Sequence, residues 1–395
     1  MFGRRIRLFS LLGFEVGVDI SWILLALLIT WTLAAGYFPA QNPELATATY
    51  WWMGVAGALG LFFSIIFHEF AHSLVARRYQ LPITGITLFI FGGVAHMQEE
   101  PGTPRAEFLM AVAGPIASLL LAGLFYLAWR AGLSADMAAP VAGVLQYLAV
   151  INLVLALFNL VPAFPLDGGR MLRAALWGWH KDLRRASRTA AAFGGAFGIL
   201  LIVLGLLSVV TGNFIGGMWW FLIGLFVRAA AGSSYQQTVM RQTLAGKTVR
   251  QLMVRDMVTV PPGITIAQLV EDYFYRSYHK LYPVVEAGRC TGSISIRNVN
   301  KVHRDDWART PVSEIADPCD EKTSVDANMD AMTVMGRMRE SGRSRLLVMD
   351  GERLAGIVTL KDIMTYLSFR MEVEEGVRTA LPDDDPALAR QPRAR

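Results

Sequence analysis

The chain has 395 residues, 53% of them hydrophobic and only 17% charged, and its mean hydropathy of +0.39 is too high for an ordinary soluble domain. Its two cysteines, Cys290 and Cys319, exclude a disulfide framework and are too few for a cysteine-based zinc cluster, which leaves histidines and carboxylates for any metal site. The formal charge of +5 is explained by basic loops of a membrane region, so no nucleic-acid partner is expected.

Residues 1–231 are poor in acidic side chains, whereas residues 241–395 have ordinary soluble composition. Apolar runs long enough to cross a hydrocarbon core of about 30 Å occur near 20–38, 51–76, 108–129, 139–161, 191–211 and 215–231. Six spans are expected, the first retained and not a cleaved signal peptide, because its apolar run is long for one. Basic residues gather at Arg4, Arg5 and Arg7, at Arg77, Arg78 and Arg105, and between Arg170 and Arg188. The positive-inside rule then makes the N-terminus and the soluble half cytoplasmic, in a multi-pass cell-membrane protein.

Between spans two and three, Ile83 to Met97 is too short to cross, is rich in β-branched residues and holds Gly92-Gly93 where a tight turn can sit. A re-entrant β-hairpin is expected there, with an interfacial helix or a plain loop as its alternatives. Unpaired backbone at membrane depth is tolerated only beside protein or water, so such a hairpin implies a hydrated cavity.

Span two contains His68-Glu69-Phe70-Ala71-His72. Residues four apart share a helix face, so His68 and His72 can offer two imidazole nitrogens to one zinc ion, and Glu69 can contact a metal-bound water. Three ionisable residues within one turn of an apolar helix are costly without a function; the bland alternative is a polar helix–helix contact. A catalytic zinc needs a third protein ligand, and the best candidate is Asp167 in NLVPAFPLDGGR, residues 159–170. Pro162 and Pro165 break span four, and Gly168-Gly169 permits close backbone approach, so a carboxylate here can turn back toward the metal. Its alternative is an N-cap for a helix over 171–179. Asn159 can donate to substrate or to an oxyanion, or make an interhelical contact. His96 and His180 lack partners at ligand spacing and read as interfacial.

The pair HEFAH and NLVPAFPLDGG resembles the site-2 proteases, intramembrane zinc metalloproteases of regulated proteolysis, over roughly residues 15–231. The resemblance implies His68, His72 and Asp167 as zinc ligands, Glu69 as the catalytic base and Asn159 in substrate or transition-state support. Phe91-Gly92-Gly93 resembles that family's membrane-embedded hairpin segment, whose edge would pair with an unwound substrate. It implies a transmembrane protein substrate in the lipid bilayer, such as a tethered regulator. A transporter with histidines along its pathway and a zinc-binding scaffold without turnover are the competing readings.

Residues 232–247 read as a polar linker. Beyond it lies an internal repeat offset by 64 residues: Val284-Val285-Glu286 aligns with Val348-Met349-Asp350, and Gly292 to Ser295 with Gly356 to Thr359. Each copy, 248–304 and 310–370, is expected to be an α/β unit of helix, strand, strand and helix. Thus the fold class is a mainly α multi-pass membrane domain, residues 1–231, followed by a tandem α/β module. GIVTLKD, residues 356–362, resembles the nucleotide-contacting signature of cystathionine-β-synthase (CBS) domains. This implies Thr359 and Asp362 as contacts to an adenine nucleotide, and a homodimer through the CBS pair. The first copy departs, with Ser295 for Thr359 and Asn298 for Asp362, so one good site is expected at most; a purely structural pair is the alternative. The stretch 371–395 reads as a disordered tail.

Overall fold

The structure is a computed structural model that describes residues 6–11, 13–81, 83–89, 92–97 and 101–380. The chain divides into two compact units, Met1–Thr238 and Val239–Arg395.

In the first unit, six helices are long and apolar enough to cross a membrane: α1 (Ile20–Gln41), α2 (Thr47–Arg78), α3 (Pro104–Ser134), α4 (Ala139–Asn159), α6 (Leu183–Val210) and α7 (Phe214–Leu244). Between α4 and α6 lies the amphipathic α5 (Asp167–His180). Their starts follow from local chemistry. Asp19 accepts from the Ser21 amide ahead of α1, Thr103 accepts from the Ala106 amide with Pro104 as the first helical residue of α3, and Asp182 accepts from the Arg185 amide at α6. Large apolar side chains such as Leu24, Leu27, Trp52, Leu59, Leu120 and Leu127 remain more than half exposed on these helices. A continuous coat of this kind is stable only in hydrocarbon, which makes this unit a membrane domain.

The first unit also holds a four-stranded sheet in the order β1 (Ile6–Leu11), β2 (Phe14–Val18), β3 (Ile83–Phe89), β4 (Gly92–Met97). β1 and β2 form an antiparallel hairpin with Gly13 at φ +86°, β2 runs parallel to β3, and β3 is antiparallel to β4. The first hairpin was not expected from the sequence. In the second, the register Phe89↔Gly92 and Leu88↔Gly93 places the glycine pair in β4 and not in the turn; Ile90 and Phe91, like Arg4 and Arg5, lie outside the described residues. Phe14 of β2 meets Phe70 of α2 edge-on at 5.6 Å, and the Arg77 guanidinium lies 4.1 Å from the Phe14 ring centre, which fastens the sheet to the helix carrying HEFAH.

In the second unit the central hairpin of each copy repeats at the 64-residue offset. β5 (Leu281–Glu286) and β6 (Arg289–Ser295) correspond to β9 (Arg345–Asp350) and β10 (Arg353–Thr359). The sheets are β5-β6-β7, with β7 at Asp317–Pro318, and β10-β9-β8, with β8 at Ser324–Asp326. Two helices flank the second sheet, α8 (Ala331–Ser341) and α9 (Leu360–Ala380). The cores cross the sequence boundaries. Val249 and Leu252, which precede the first copy's strands, pack with Val325, Val348 and Val358, held by the amides of Val249 and Arg250 on Met329 and Ala327 carbonyls. Val312 instead closes the first core around Tyr282 and Ile294. Residues 232–244 of the polar linker segment are helical, as the end of α7, and residues 371–380 continue α9 in place of the expected disorder; residues 381–395 lie outside the described residues.

Candidate active site

His68 and His72 lie one turn apart near the end of α2 and are 4% and 9% exposed. Asp167 reaches them from the first residue of α5: its Oδ2 is 3.0 Å from His68 Nε2 and 3.1 Å from His72 Nε2, and the two Nε2 atoms are 3.1 Å apart. The N-cap alternative for Asp167 is corrected, because α5 begins at Asp167 itself and Leu166 occupies the cap position. Among the described residues these three form the one group of histidine and acid ligands able to hold a metal ion.

The turn before Asp167 is what the glycine pair allows. A Cβ on Gly168 would lie 2.3 Å from the Leu160 carbonyl oxygen, and one on Gly169 2.4 Å from the Phe164 nitrogen, so neither position accepts a side chain. Burial opposes ionisation of Asp167, but the neighbouring imidazoles of His72 and His68 outweigh it and hold the carboxyl below its ordinary range.

The outer nitrogens of both rings are also held. Ser118 Oγ is 2.9 Å from His68 Nδ1 and the Met110 carbonyl oxygen is 2.7 Å from His72 Nδ1, both from α3. Hydrogen bonds at Nδ1 leave Nε2 as the metal-facing nitrogen in each ring. Between Met110 and Ser118, a Cβ on Gly114 would sit 2.3 Å from His72 Nε2 and 2.5 Å from His68 Nε2. The two borderline-soft nitrogens, one carboxylate oxygen and this cradle fit a zinc ion with an open position for water. Ser118, Met110 and Gly114 were not singled out by the sequence; only the small-residue run of α3 hinted at a close approach.

Glu69 is half-buried beside His68 on α2. Asn159 ends α4 and donates to the Leu155 carbonyl of its own helix at 2.9 Å. His180 ends α5 exposed, bonded to Leu176; His96 lies in β4. Gly92 and Gly93 begin β4, the edge strand, and β3 and β4 both contact α2. In the second unit Thr359 ends β10 and its hydroxyl donates to Asp362 in the first turn of α9 at 2.6 Å. Asn298 is 3% exposed, its amide donating to the Ile315 carbonyl and to Asp317 Oδ1.

Comparison with known proteins matches the Peptidase family M50 to residues 56–134 and 130–205, and the CBS domain to residues 249–304 and 312–369. Rip3 of Mycobacterium tuberculosis, named as a zinc metalloprotease, is 36% identical over 375 residues, 94% of this chain and 95% of that protein. A second protein so named, sll0528 of Synechocystis sp., is 32% identical over 346 residues, 87% of this chain and 90% of its own length. Among solved structures, the site-2 protease from Methanocaldococcus jannaschii is similar at 29% identity and a TM-score of 0.42, covering 59% of this chain and 95% of that one. This chain therefore belongs to peptidase family M50, the site-2 type of membrane zinc metalloprotease, and carries a pair of CBS domains.

Proposed function

We propose that this protease hydrolyses a peptide bond in or near the transmembrane segment of membrane-tethered proteins, with one zinc ion held by His68, His72 and Asp167. The observation that carries this reading is the convergence of those three side chains, 3.0–3.1 Å apart, inside a bundle whose outer faces are apolar. Zinc bound there supplies Lewis acidity toward water and a peptide carbonyl. Glu69 accepts the proton of the attacking water at a carboxylate oxygen and returns it to the leaving amine. The Asn159 amide, one short loop before Asp167, can exchange its Leu155 contact for a substrate carbonyl.

A peptide bond in a helix is already hydrogen-bonded, so substrate must unwind before cleavage. Among the described residues β4 is the last strand of its sheet, and its outer edge beside α2 offers replacement partners by strand addition, with Gly92 and Gly93 leaving that stretch without side chains to obstruct it. Charge in the connecting segments supports a cytoplasmic N-terminus and cytoplasmic CBS pair. For the CBS pair, an adenine nucleotide at Thr359 and Asp362 is the favoured ligand. Arg345 stands opposite Thr359 across β9 and β10, where the first copy sets Leu281 opposite Ser295, so at this paired position the second copy carries a cation for phosphate and the first an apolar side chain.

Reconstitution in liposomes with a single-span test substrate checks the central reading. Wild type is expected to cleave within or near the span and Glu69→Gln to be inactive with its zinc retained. Undiminished cleavage by Glu69→Gln would remove the base assignment.

A further inference from the structure

Two sulfur atoms meet between the two sheets of the second unit, with a third sulfur-bearing residue on the neighbouring strand. Cys290 lies on β6 and Cys319 follows β7, strands joined by the pairs Gly292↔Pro318 and Ser293↔Asp317. The antiparallel register of β6 and β7 sets the two free cysteines on neighbouring strands, Cys290 Sγ lies 3.6 Å from the Gly292 carbonyl oxygen, and Cys319 Sγ is 3.8 Å from Met349 Sδ on β9. All three residues are half-buried, so the sulfurs are partly desolvated but reachable.

We propose that Cys290, Cys319 and Met349 bind one Cu(I) ion and so tie the first CBS sheet to the second. Two thiolates and a thioether are soft donors, which favour Cu(I) over the oxygen-preferring cations. With metal–sulfur bonds of about 2.3 Å, two ligands at 120° on a three-coordinate ion stand about 4 Å apart, close to the spacing Cys319 and Met349 already have. A structural zinc would want four donors. The carboxylate next in sequence to Cys319, Asp320, is engaged elsewhere, with Oδ1 accepting from the Lys322 and Thr323 amides and from the Thr323 hydroxyl.

Each cysteine binds the ion as a thiolate, so Cu(I) binding releases a proton from every thiol still protonated at that pH. Counting cysteines in the sequence could not reveal the site, since its third donor is a methionine 30 positions away.

The test is an anaerobic titration of reduced, zinc-loaded, full-length protein with Cu(I) against the chromogenic chelator bathocuproine disulfonate. Wild type is expected to withhold one equivalent more than Cys290→Ser/Cys319→Ser, with thiolate-to-copper absorption in the near ultraviolet. Met349→Leu, which keeps both thiols, is expected to hold that equivalent at least tenfold more weakly. Equal retention by wild type and the double serine variant overturns the proposal. So does unchanged affinity in Met349→Leu, which would reduce the cluster to a dithiol.

Discussion

Arg173 on α5 is ion-paired with Glu107 in the first turn of α3, and the two are 6% and 1% exposed. Arg173 also donates to Thr238 Oγ1 of α7 at 3.4 Å, and its guanidinium lies 5.1 Å from the ring centre of Phe164, in the turn that delivers Asp167. One side chain thus fixes the helix bearing Asp167 against the helix bearing Ser118 and Gly114. Removing one partner of a buried ion pair costs about 3–5 kcal/mol, whereas replacing both by well-packed neutral groups costs far less. Arg173→Ala is therefore expected to lower zinc occupancy and Tm together, and Glu107→Gln/Arg173→Met to lie closer to wild type than either single variant. Metal analysis with thermal unfolding decides it; full zinc and unchanged Tm in Arg173→Ala would mean Asp167 is held without the pair.

The proposed base and the proposed zinc ligands should separate cleanly. Glu69→Gln removes proton transfer, a contribution of about 10²–10⁴-fold, and leaves all three ligand atoms in place. His68→Ala, His72→Ala and Asp167→Ala each remove a ligand and should lower zinc content as well as activity. Zinc stoichiometry of the purified variants, set beside cleavage rates, is the measurement. Full zinc in Asp167→Ala would exclude it as a ligand.

Behind the ligands, Ser118→Ala removes the partner of His68 Nδ1 and should cost about 10–100-fold in zinc affinity or activity. Gly114→Ala should be worse although it adds only a methyl group, because its Cβ would lie within 2.5 Å of both Nε2 atoms. Competition with a zinc chelator ranks the two. Wild-type affinity in Gly114→Ala would show that α3 can retreat from the site.

These contrasts also mark how far the sequence could be read. His68, His72 and Asp167 were legible because ionisable groups in an apolar chain have few alternative uses, and Gly168-Gly169 because a turn that close excludes side chains. Ser118 and the Met110 carbonyl were not, since a serine in a small-residue helix and a backbone oxygen carry no spacing signal. The β1–β2 hairpin was hidden by its position beside a basic segment, though Phe14, Val16 and Val18 alternate as a strand buried on one face would. The crossing of Val249 and Leu252 into the second CBS core depends on partners some 75–110 positions away, which no local pattern encodes.

Strand addition at β4 can be tested by choosing which amide is removed. With Phe89↔Gly92 closing the hairpin, alternation of bonded pairs puts Thr87↔Val94 in the bonded set and turns the backbone of Gly93 and Ala95 toward the free edge. Proline at Val94 would therefore disturb the hairpin itself. Proline at Ala95 removes one outward donor and should slow cleavage of a transmembrane substrate at least tenfold, about the 1.4 kcal/mol that one hydrogen bond contributes, while Ala95→Ser should not. Equal rates for the two variants, at equal zinc content, would argue against backbone pairing at this edge.

The last prediction concerns the CBS pair, where the two copies share a backbone and differ in their polar groups. Ser295 and Asn298 cap the short helix Ile296–Val299, and the Asn298 amide is spent on the Ile315 carbonyl and Asp317, with Leu281 opposite in the sheet. Thr359 and Asp362 are half-buried and bonded to each other, and Thr359 is paired with Arg345 across the sheet. A carboxylate there can accept from both ribose hydroxyls while Thr359 and Arg345 approach phosphate. One adenine nucleotide per chain is therefore expected, at the second copy. Hydrogen bonds to a charged group contribute about 1.5–3 kcal/mol, so Asp362→Ala should weaken binding about 10–100-fold and Asn298→Ala should leave it nearly unchanged. Calorimetry on the full-length protein with AMP, ADP and ATP measures both. A nucleotide can alter proteolysis only by binding the active and inactive arrangements with different affinity, so cleavage rates with and without saturating ligand complete the experiment. No heat with any of the three, in protein that still cleaves its substrate, would leave the CBS pair a structural element.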